Sequence, residues 1–405
     1  MGTARVGAET KSGVTEQERI RPRANLILPG FFLPCYFYAL LSPDFKHPPT
    51  RRQLCIPRQP SSNLEMRAWT RQRRGAARAS LELSIIAKPA DPEPSSGDVL
   101  IRVSHVALQF SSESLFKLLP VLPFTSPPVP ELEFSGTIVA AGSAAAADVR
   151  DTGIRVIAFC TIGDMISGRG ALAEYVRVPS GNATRLPEDV DMAAMAGVLG
   201  SGSTALKMLR VGGVRSGSRV LVNGASGSVG SVLVQLCKRR GVHVVGVASG
   251  GNEEMVRGLG ADEFVDYRKH KPLPHFLAST YREHQFDFVL DCVGLQALYT
   301  NSPSYLKPDG AVINIGSMEG VGATLWNWTM NTWCPTCLGG IPRRYVMFPT
   351  SPIKDDALVL VKMVEEGELK VAVDSVFEME DAIQAYERVS TRRARGRVVV
   401  KVQRD

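Results

Sequence analysis

From residue 219 onwards, short apolar runs alternate with longer stretches of mixed polarity. Arg219-Val-Leu-Val-Asn223 is apolar and of strand length, and Ser231-Val-Leu-Val-Gln-Leu-Cys-Lys-Arg-Arg240 follows with helical length. Next come His243-Val-Val-Gly-Val-Ala-Ser249, a polar helix ending at Gly260, and Glu263-Phe-Val-Asp-Tyr267. Residues 286–294 and 311–317 repeat the pattern, separated by segments of helical length. Runs rich in β-branched residues, bounded by glycine and spaced by helices, predict successive strand–helix–strand units. Over about 100 residues this alternation predicts an α/β fold with a doubly wound parallel sheet, because parallel neighbours need a crossover between them.

The first turn of this series carries chemistry. Asn223-Gly-Ala-Ser-Gly-Ser-Val-Gly230 joins the first strand to the first helix. Gly227 lets the backbone approach a pyrophosphate, and Gly230 lets the new helix pack closely on the strand. The first-turn N–H groups, with the helix dipole behind them, attract phosphates. Ala225 stands where the usual glycine spacing has its first glycine, which demands a different turn. The segment predicts a dinucleotide site formed by Ala225, Ser226, Gly227, Ser228, Val229 and Gly230.

The end of the second strand decides which dinucleotide is expected. An Asp or Glu there accepts hydrogen bonds from the adenosine ribose and repels a 2′-phosphate. The strand ends Ala248-Ser-Gly-Gly251, with no carboxylate, and Arg257 follows on the next helix. That pattern favours NADPH. Glu253 and Glu254 are read as first-turn residues of the helix, where negative charge suits the dipole.

Composition adds boundaries. A chain of 405 residues with 44% hydrophobic content has room for two domains. Its seven cysteines are scattered and odd in number, which implies no disulfide framework and a reducing compartment, so a cytoplasmic location is expected. Cys334-Pro-Thr-Cys337 has metal-ligand spacing, but two ligands do not fill a tetrahedral zinc shell. Of the net charge of +7, residues 1–65 carry +4 and residues 66–80 carry +5, which leaves −2 for residues 81–405. No nucleic-acid partner is therefore expected. Residues 1–65 hold eight of the 26 prolines and no sustained period, and are expected to be an extension outside the core. The apolar run at residues 26–41 is too short and proline-broken for a stable membrane span. Glu9, Glu16 and Glu18 argue against a mitochondrial presequence.

From Met66 the chain resembles a known family. Met66-Arg-Ala-Trp69, Pro94-Ser-Ser-Gly-Asp-Val-Leu-Ile-Arg-Val103, residues 130–142, Gly170-Ala-Leu-Ala-Glu-Tyr-Val176 and Gly202-Ser-Thr-Ala205 occur in the order seen in medium-chain dehydrogenases/reductases. The closing segments Gly367-Glu-Leu-Lys-Val-Ala-Val-Asp374, Met379-Glu-Asp-Ala-Ile-Gln-Ala-Tyr386 and Arg395-Gly-Arg-Val-Val-Val-Lys401 are similar to the same family. Within it the chain is most similar to the zinc-independent quinone oxidoreductase and enoyl reductase branch. The resemblance implies a GroES-like β-rich substrate domain plus a Rossmann doubly wound parallel sheet. Its expected bounds are 66–195 for the first part of the substrate domain, 196–344 for the Rossmann domain and 345–405 for the return.

The resemblance also implies site residues. Thr204 would lie near the nicotinamide; Ser249, Tyr267 and Arg257 near the 2′-phosphate; and Val293, Gly316 and Ser317 at the carboxyl ends of strands, where ligands bind in such sheets. Arg397 matches a basic residue near the cofactor in relatives. No metal is expected: relatives that use zinc carry a His-Glu pair where this chain has Leu132-Glu133, and Leu132 cannot ligate. His105, on an apparent strand, is read as a hydrogen-bonded, half-buried side chain. Without a Lewis acid, alkoxide stabilisation loses its usual means, whereas reduction of an activated double bond or quinone needs mainly orientation of the nicotinamide.

No catalytic acid is named. Enoyl-thioester reductases of this branch have a tyrosine in the segment that here spans residues 109–124, and this chain has none. Ser111, Ser112 or water are the remaining proton sources. The aromatic stretch Trp326-Asn-Trp-Thr-Met-Asn-Thr-Trp333 is open to three readings: an apolar substrate pocket, a dimer contact or plain core. Three functions stay open. They are a zinc-independent, NADPH-dependent reductase of a quinone, enone or other activated double bond, a trans-enoyl reductase of a secondary-metabolite pathway, and an NADPH-binding structural or RNA-binding relative without turnover. A homodimer is the expected assembly.

Overall fold

The computed structural model describes residues 64–121, 126–349 and 351–403. The proposed extension lies outside the described residues except at its last two positions. Strands β1 (Glu65–Arg71) and β2 (Leu81–Ala87) form an antiparallel hairpin. Then come β3 (Asp98–Ala107), β4 (Glu133–Ala141), β5 (Arg155–Phe159), β6 (Tyr175–Pro179) and β7 (Ala183–Arg185). The parallel sheet follows with β8 (Arg219–Asn223), β9 (His243–Ala248), β10 (Glu263–Asp266), β11 (Phe286–Asp291), β12 (Leu306–Asn314) and β13 (Arg344–Met347). The described chain closes with β14 (Val373–Glu378) and β15 (Arg397–Lys401).

The parallel sheet has the order β10-β9-β8-β11-β12-β13. Strand order therefore reverses between β8 and β11, the point at whose carboxyl edge doubly wound sheets bind their ligands. Val220, Leu221 and Val222 of β8 are all fully buried, as expected for a parallel strand covered on both faces. The second sheet runs β14-β15-β3-β4-β5-β7, with β6 also on β3. Its last strand, β15, pairs antiparallel with β3, so segments before and after the doubly wound unit in sequence build one sheet.

One boundary differs from expectation. Tyr345, Val346 and Met347 were placed in the returning segment, but they pair with Val312, Ile313 and Asn314 as the sixth parallel strand. The helix Lys354–Glu365 packs on the helix Val198–Gly212, with Leu360 seated against Gly202. The sequence signal failed there because β13 has only four residues and none of them is fully buried.

Candidate functional site

The pyrophosphate turn begins where β8 ends. Gly224 takes φ +81°, a left-handed corner that suits glycine, and the Gly224 and Ala225 amides both donate to the Val247 carbonyl of β9 at 3.0 Å. Ala225 is fully buried. Its methyl lies over Gly246 of β9, where a side chain would stand 3.3 Å from Ala225 Cβ and 2.6 Å from Val256 Cγ1. The missing first glycine is thus accommodated from the neighbouring strand. Any side chain on Gly230 would collide with the Gly224 carbonyl, so the helix Ser228–Arg239 starts tight against the turn. Gly227 is its N-cap in extended conformation, and no side chain caps the helix. A side chain at Gly227 would meet only the Gly224 oxygen, at 3.3 Å. The turn is therefore open there, a cradle that fits a pyrophosphate.

The loops after β11 and β12 face the same edge. Asp291 is fully buried, and its carboxylate accepts from Asn223 Nδ2 (2.8 Å) and from the amides of Val293 (2.8 Å), Gly294 (3.0 Å) and Leu295 (3.0 Å). Burial pushes its pKa up while these donors pull it back. The group ties β8 to β11 at the point where strand order reverses. Gly294 and Gly316 touch backbone to backbone, so a side chain on either would collide with the other loop. Asn314 holds Gly316 from both sides, and the Met318 amide donates to the Val293 carbonyl at 3.0 Å. Val293, Gly316 and Ser317 are thereby collected on the edge that carries residues 225–230.

At the tip of β9, Asn252 Nδ2 donates to Ser226 Oγ (2.8 Å) and Ser249 Oγ (3.2 Å), joining the pyrophosphate turn to the expected ribose site. Tyr267 is 40% exposed instead of packing on the sheet, with the Arg268 guanidinium 5.9 Å from its ring centroid. Two expectations need correction. A carboxylate does stand at the tip, but it comes from the third strand: Asp266 Oδ1 accepts from the Arg268 amide at 2.9 Å, and Oδ2 faces Gly250, where a side chain would have to displace it. Arg257 turns away, because Glu253 sits one turn earlier and takes its Nε at 2.8 Å, while Nη1 reaches the Asp262 carbonyl just before β10. The cations at the tip are instead Arg268 and Arg395, whose Nη2 donates to the Gly251 carbonyl at 2.9 Å. Sequence reading missed both, although Arg268 directly follows Tyr267.

At the other end of the groove, the helix carrying Thr204 starts from Gly197, and Thr204 is 6% exposed. The Gly200 amide donates to Glu133 Oε2 at 2.6 Å, and a side chain on Gly200 would overlap that carboxylate. Glu133 Oε1 accepts from Gln109 Nε2 (2.8 Å) and Arg397 Nη2 (3.0 Å), and Arg397 Nε donates to the Gly197 carbonyl (3.0 Å). The Glu133 and Arg397 side chains are 1% and 9% exposed. The Arg397 guanidinium therefore holds the groove together, with its donors turned inward onto Glu133 and Gly197. Next to it, the Gly396 amide donates to the Ser226 carbonyl at 3.1 Å, which clamps the start of β15 onto the pyrophosphate turn.

A second buried carboxyl lies beside this network. Glu131 adopts φ +68° and is fully buried. It accepts from the Tyr386 hydroxyl (2.7 Å) and the Gln109 amide (3.0 Å), and the Ser112 hydroxyl bonds it as well. Burial pushes its pKa up to about 7 against these donors. Ser112 is thus turned inward, whereas half-buried Ser111 donates to Gln109 Oε1 at 3.3 Å. His105 is half-buried, with Nδ1 2.9 Å from Ser104 Oγ. Leu132 packs against the apolar core of the substrate-side sheet. Among the described residues no group of three His, Cys, Asp or Glu side chains could hold a metal ion. The aromatic stretch forms the helix Val321–Trp333, with Trp326 68% and Trp333 70% exposed, so a plain core role is excluded for these two.

Comparison with known proteins agrees with this geometry. The alcohol dehydrogenase GroES-like domain model matches residues 95–188, and the zinc-binding dehydrogenase model matches residues 259–400. The medium chain reductase pydE of an Acremonium species is 47% identical over 361 residues, covering 83% of this chain and 99% of the relative. This chain belongs to the medium-chain dehydrogenases/reductases. It is an oxidoreductase of that superfamily and takes a nicotinamide cofactor. The trans-enoyl reductase poxH of Penicillium oxalicum is 33% identical, with 85% and 100% of the two chains covered. Among solved structures, the quinone oxidoreductase of Coxiella burnetii superposes with a TM-score of 0.69 at 23% identity, covering 84% of this chain and all of that one. A mycobacterial protein solved with NADPH gives a TM-score of 0.65 at 23% identity, covering 83% of this chain and 100% of its own. Among the described residues no helix is long and apolar enough to cross a membrane.

Proposed function

We propose that this enzyme reduces an activated carbon–carbon double bond or quinone of a small molecule, with NADPH as the preferred reductant. The nicotinamide, when bound, supplies the hydride. The chain's own task is to orient it: residues 225–230 and Asn252 hold the phosphates and ribose, Val293, Gly316 and Ser317 wall the groove, and Thr204 flanks the reacting end. Glu133 and Arg397 keep that end closed by tying the substrate-side sheet to the first turn of the Thr204 helix.

The observation that carries the cofactor preference is the tip of β9. There the Ser249 hydroxyl and the Arg395 guanidinium flank the Gly250–Gly251 turn, Arg268 follows two residues beyond β10, and one oxygen of Asp266 is held by a backbone amide. Cationic donors beside the ribose favour a 2′-phosphate. The reductase names of pydE and poxH support the direction of reaction, and poxH favours an enoyl substrate over a quinone. The Gln109 side-chain amide, which keeps one N–H beyond the one given to Glu133, suits hydrogen bonding to a substrate carbonyl. We also assign a homodimer, which light scattering on the purified protein checks.

The test is oxidation of NADPH and of NADH by the purified chain, against a panel of quinones and α,β-unsaturated carbonyl compounds. Consumption of NADPH with at least one enone or quinone is expected. Use of NADH at equal kcat/KM would remove the cofactor preference, and inactivity with the whole panel would remove the substrate class.

A further inference from the structure

We propose that Arg395, carried on the segment that leads into β15 of the substrate-side sheet, selects the cofactor by its 2′-phosphate. This rests on the NADPH reading above and assigns the residue responsible. Arg395 is far from the nucleotide fold in sequence, yet its Nη2 lies 2.9 Å from the carbonyl of Gly251, directly beyond the tip of β9 where doubly wound sheets seat the adenosine ribose. Its backbone is fixed on both sides. The Arg395 amide donates to Asp374 Oδ1 at 2.7 Å, and the next residue, Gly396, donates to the Ser226 carbonyl of the pyrophosphate turn.

Asp374 is itself held by Arg388 through Nε (2.8 Å) and Nη2 (2.6 Å), so the anchor of this segment is rigid. Gly396 has φ +94°, and a side chain there would collide with the Ala372 carbonyl, which fixes the course of the chain immediately beside Arg395. The side chain is exposed and projects from this fixed base to the rim of the groove. A guanidinium has five N–H donors in a planar fork that matches a phosphate, and one donor engages Gly251. Arg257, the cation expected from sequence to do this work, is committed to Glu253 and Asp262.

Binding of four ligands to the full chain tests the assignment: NADPH, NADH, 2′,5′-ADP and 5′-AMP, each titrated by calorimetry against wild type and Arg395→Gln. Arg395→Gln is expected to lose at least tenfold in affinity for NADPH and 2′,5′-ADP, with NADH and 5′-AMP within twofold of wild type. A variant that prefers NADPH as strongly as a wild type with that preference overturns the Arg395 assignment alone. Equal losses for NADPH and NADH overturn it too, since Arg395 then serves only to hold Gly251. A wild type that binds NADH as tightly as NADPH overturns the underlying reading, and the assignment with it. Should the glutamine variant fail to fold, which loss of its cooperative thermal unfolding transition would reveal, Arg395→Lys carries the same decision with an expected loss of about threefold, because lysine keeps the charge without the fork.

Discussion

The two ends of the cofactor groove hold charge in opposite ways. At the reacting end Glu133 and Arg397 are almost fully enclosed, both carboxylate oxygens accept from protein donors, and the guanidinium is split between an ion pair and a carbonyl. At the adenosine end Arg395 and Arg268 lie exposed, and Asp266 is half-exposed. Charges taken out of water are expensive unless every lone pair and proton is satisfied, so the enclosed pair dictates geometry. Charges at the rim are screened and cheap to move, so they do little to fix the fold. On the proposed NADPH reading, one end of the groove serves position and the other selection.

The strongest way to break this contrast is Arg397→Met. It would leave Glu133 buried with only Gln109 and the Gly200 amide as partners, and the expected loss of stability is about 3–5 kcal/mol by denaturant unfolding. Arg395→Gln should change unfolding by less than about 0.5 kcal/mol, as a surface substitution does. Similar losses from the two variants would end the distinction. Glu133→Gln combined with Arg397→Met should recover part of the loss, because no unpaired charge remains.

Gly316→Val is expected to cost about 1–3 kcal/mol, the usual penalty of overpacking, because the new side chain must displace the Val293–Gly294 backbone. Cofactor affinity should fall with it, as both loops line the groove. Thermal unfolding and NADPH titration of the same sample check this, and a variant with unchanged stability and affinity would show that the two loops move apart freely.

Glu131 supplies a pH-dependent version of the enclosed end. Its folded pKa of about 7 lies above the usual carboxylate range. The stability it confers is therefore complete below the unfolded pKa and is lost as pH rises through 7. Wild-type stability should fall by about 1–3 kcal/mol between pH 4.5 and pH 8 through this group, and Glu131→Gln should flatten that slope. An identical pH profile for the two proteins would show that Glu131 is charged in its pocket throughout.

How far the sequence foretold these regions follows the same division. The alternating runs, the glycine turn and the strand ends at Val293 and Gly316 were legible because local period and backbone conformation encode them. Gly246 under Ala225, Asn252 between two serines, and Arg395 over Gly251 were not, because each depends on contacts between segments whose pairing has no local signal. Arg257 was misplaced for a related reason. Its helical position was read correctly, but the i,i+4 partner Glu253, which captures the side chain, was weighed only against the dipole. Asp266 is not legible at this position because it ends the third strand, and nothing local in the sequence says that its tip lies beside Ala248 at the end of the second.

The smallest expected effect is at Asp266, and it bears most directly on how the open end selects. Its carboxylate faces Gly250 with one oxygen and holds the Arg268 amide with the other, so it sits among the cations that would meet a 2′-phosphate. Asp266→Asn keeps an oxygen acceptor for the Arg268 amide while removing the like charge. NADPH should bind roughly two- to fivefold more tightly, about 0.5–1 kcal/mol, as expected for a partly screened charge at this range. NADH should bind unchanged or more weakly, because a carboxylate accepts from ribose hydroxyls better than an amide does. Raising ionic strength from 0.05 to 0.5 M should shrink the NADPH gain, since the Debye length falls from about 14 to about 4 Å. A gain that is independent of salt, or a loss of NADPH affinity, would mean that Asp266 acts by shaping the Arg268 turn, and selection at this end would then be steric instead of electrostatic.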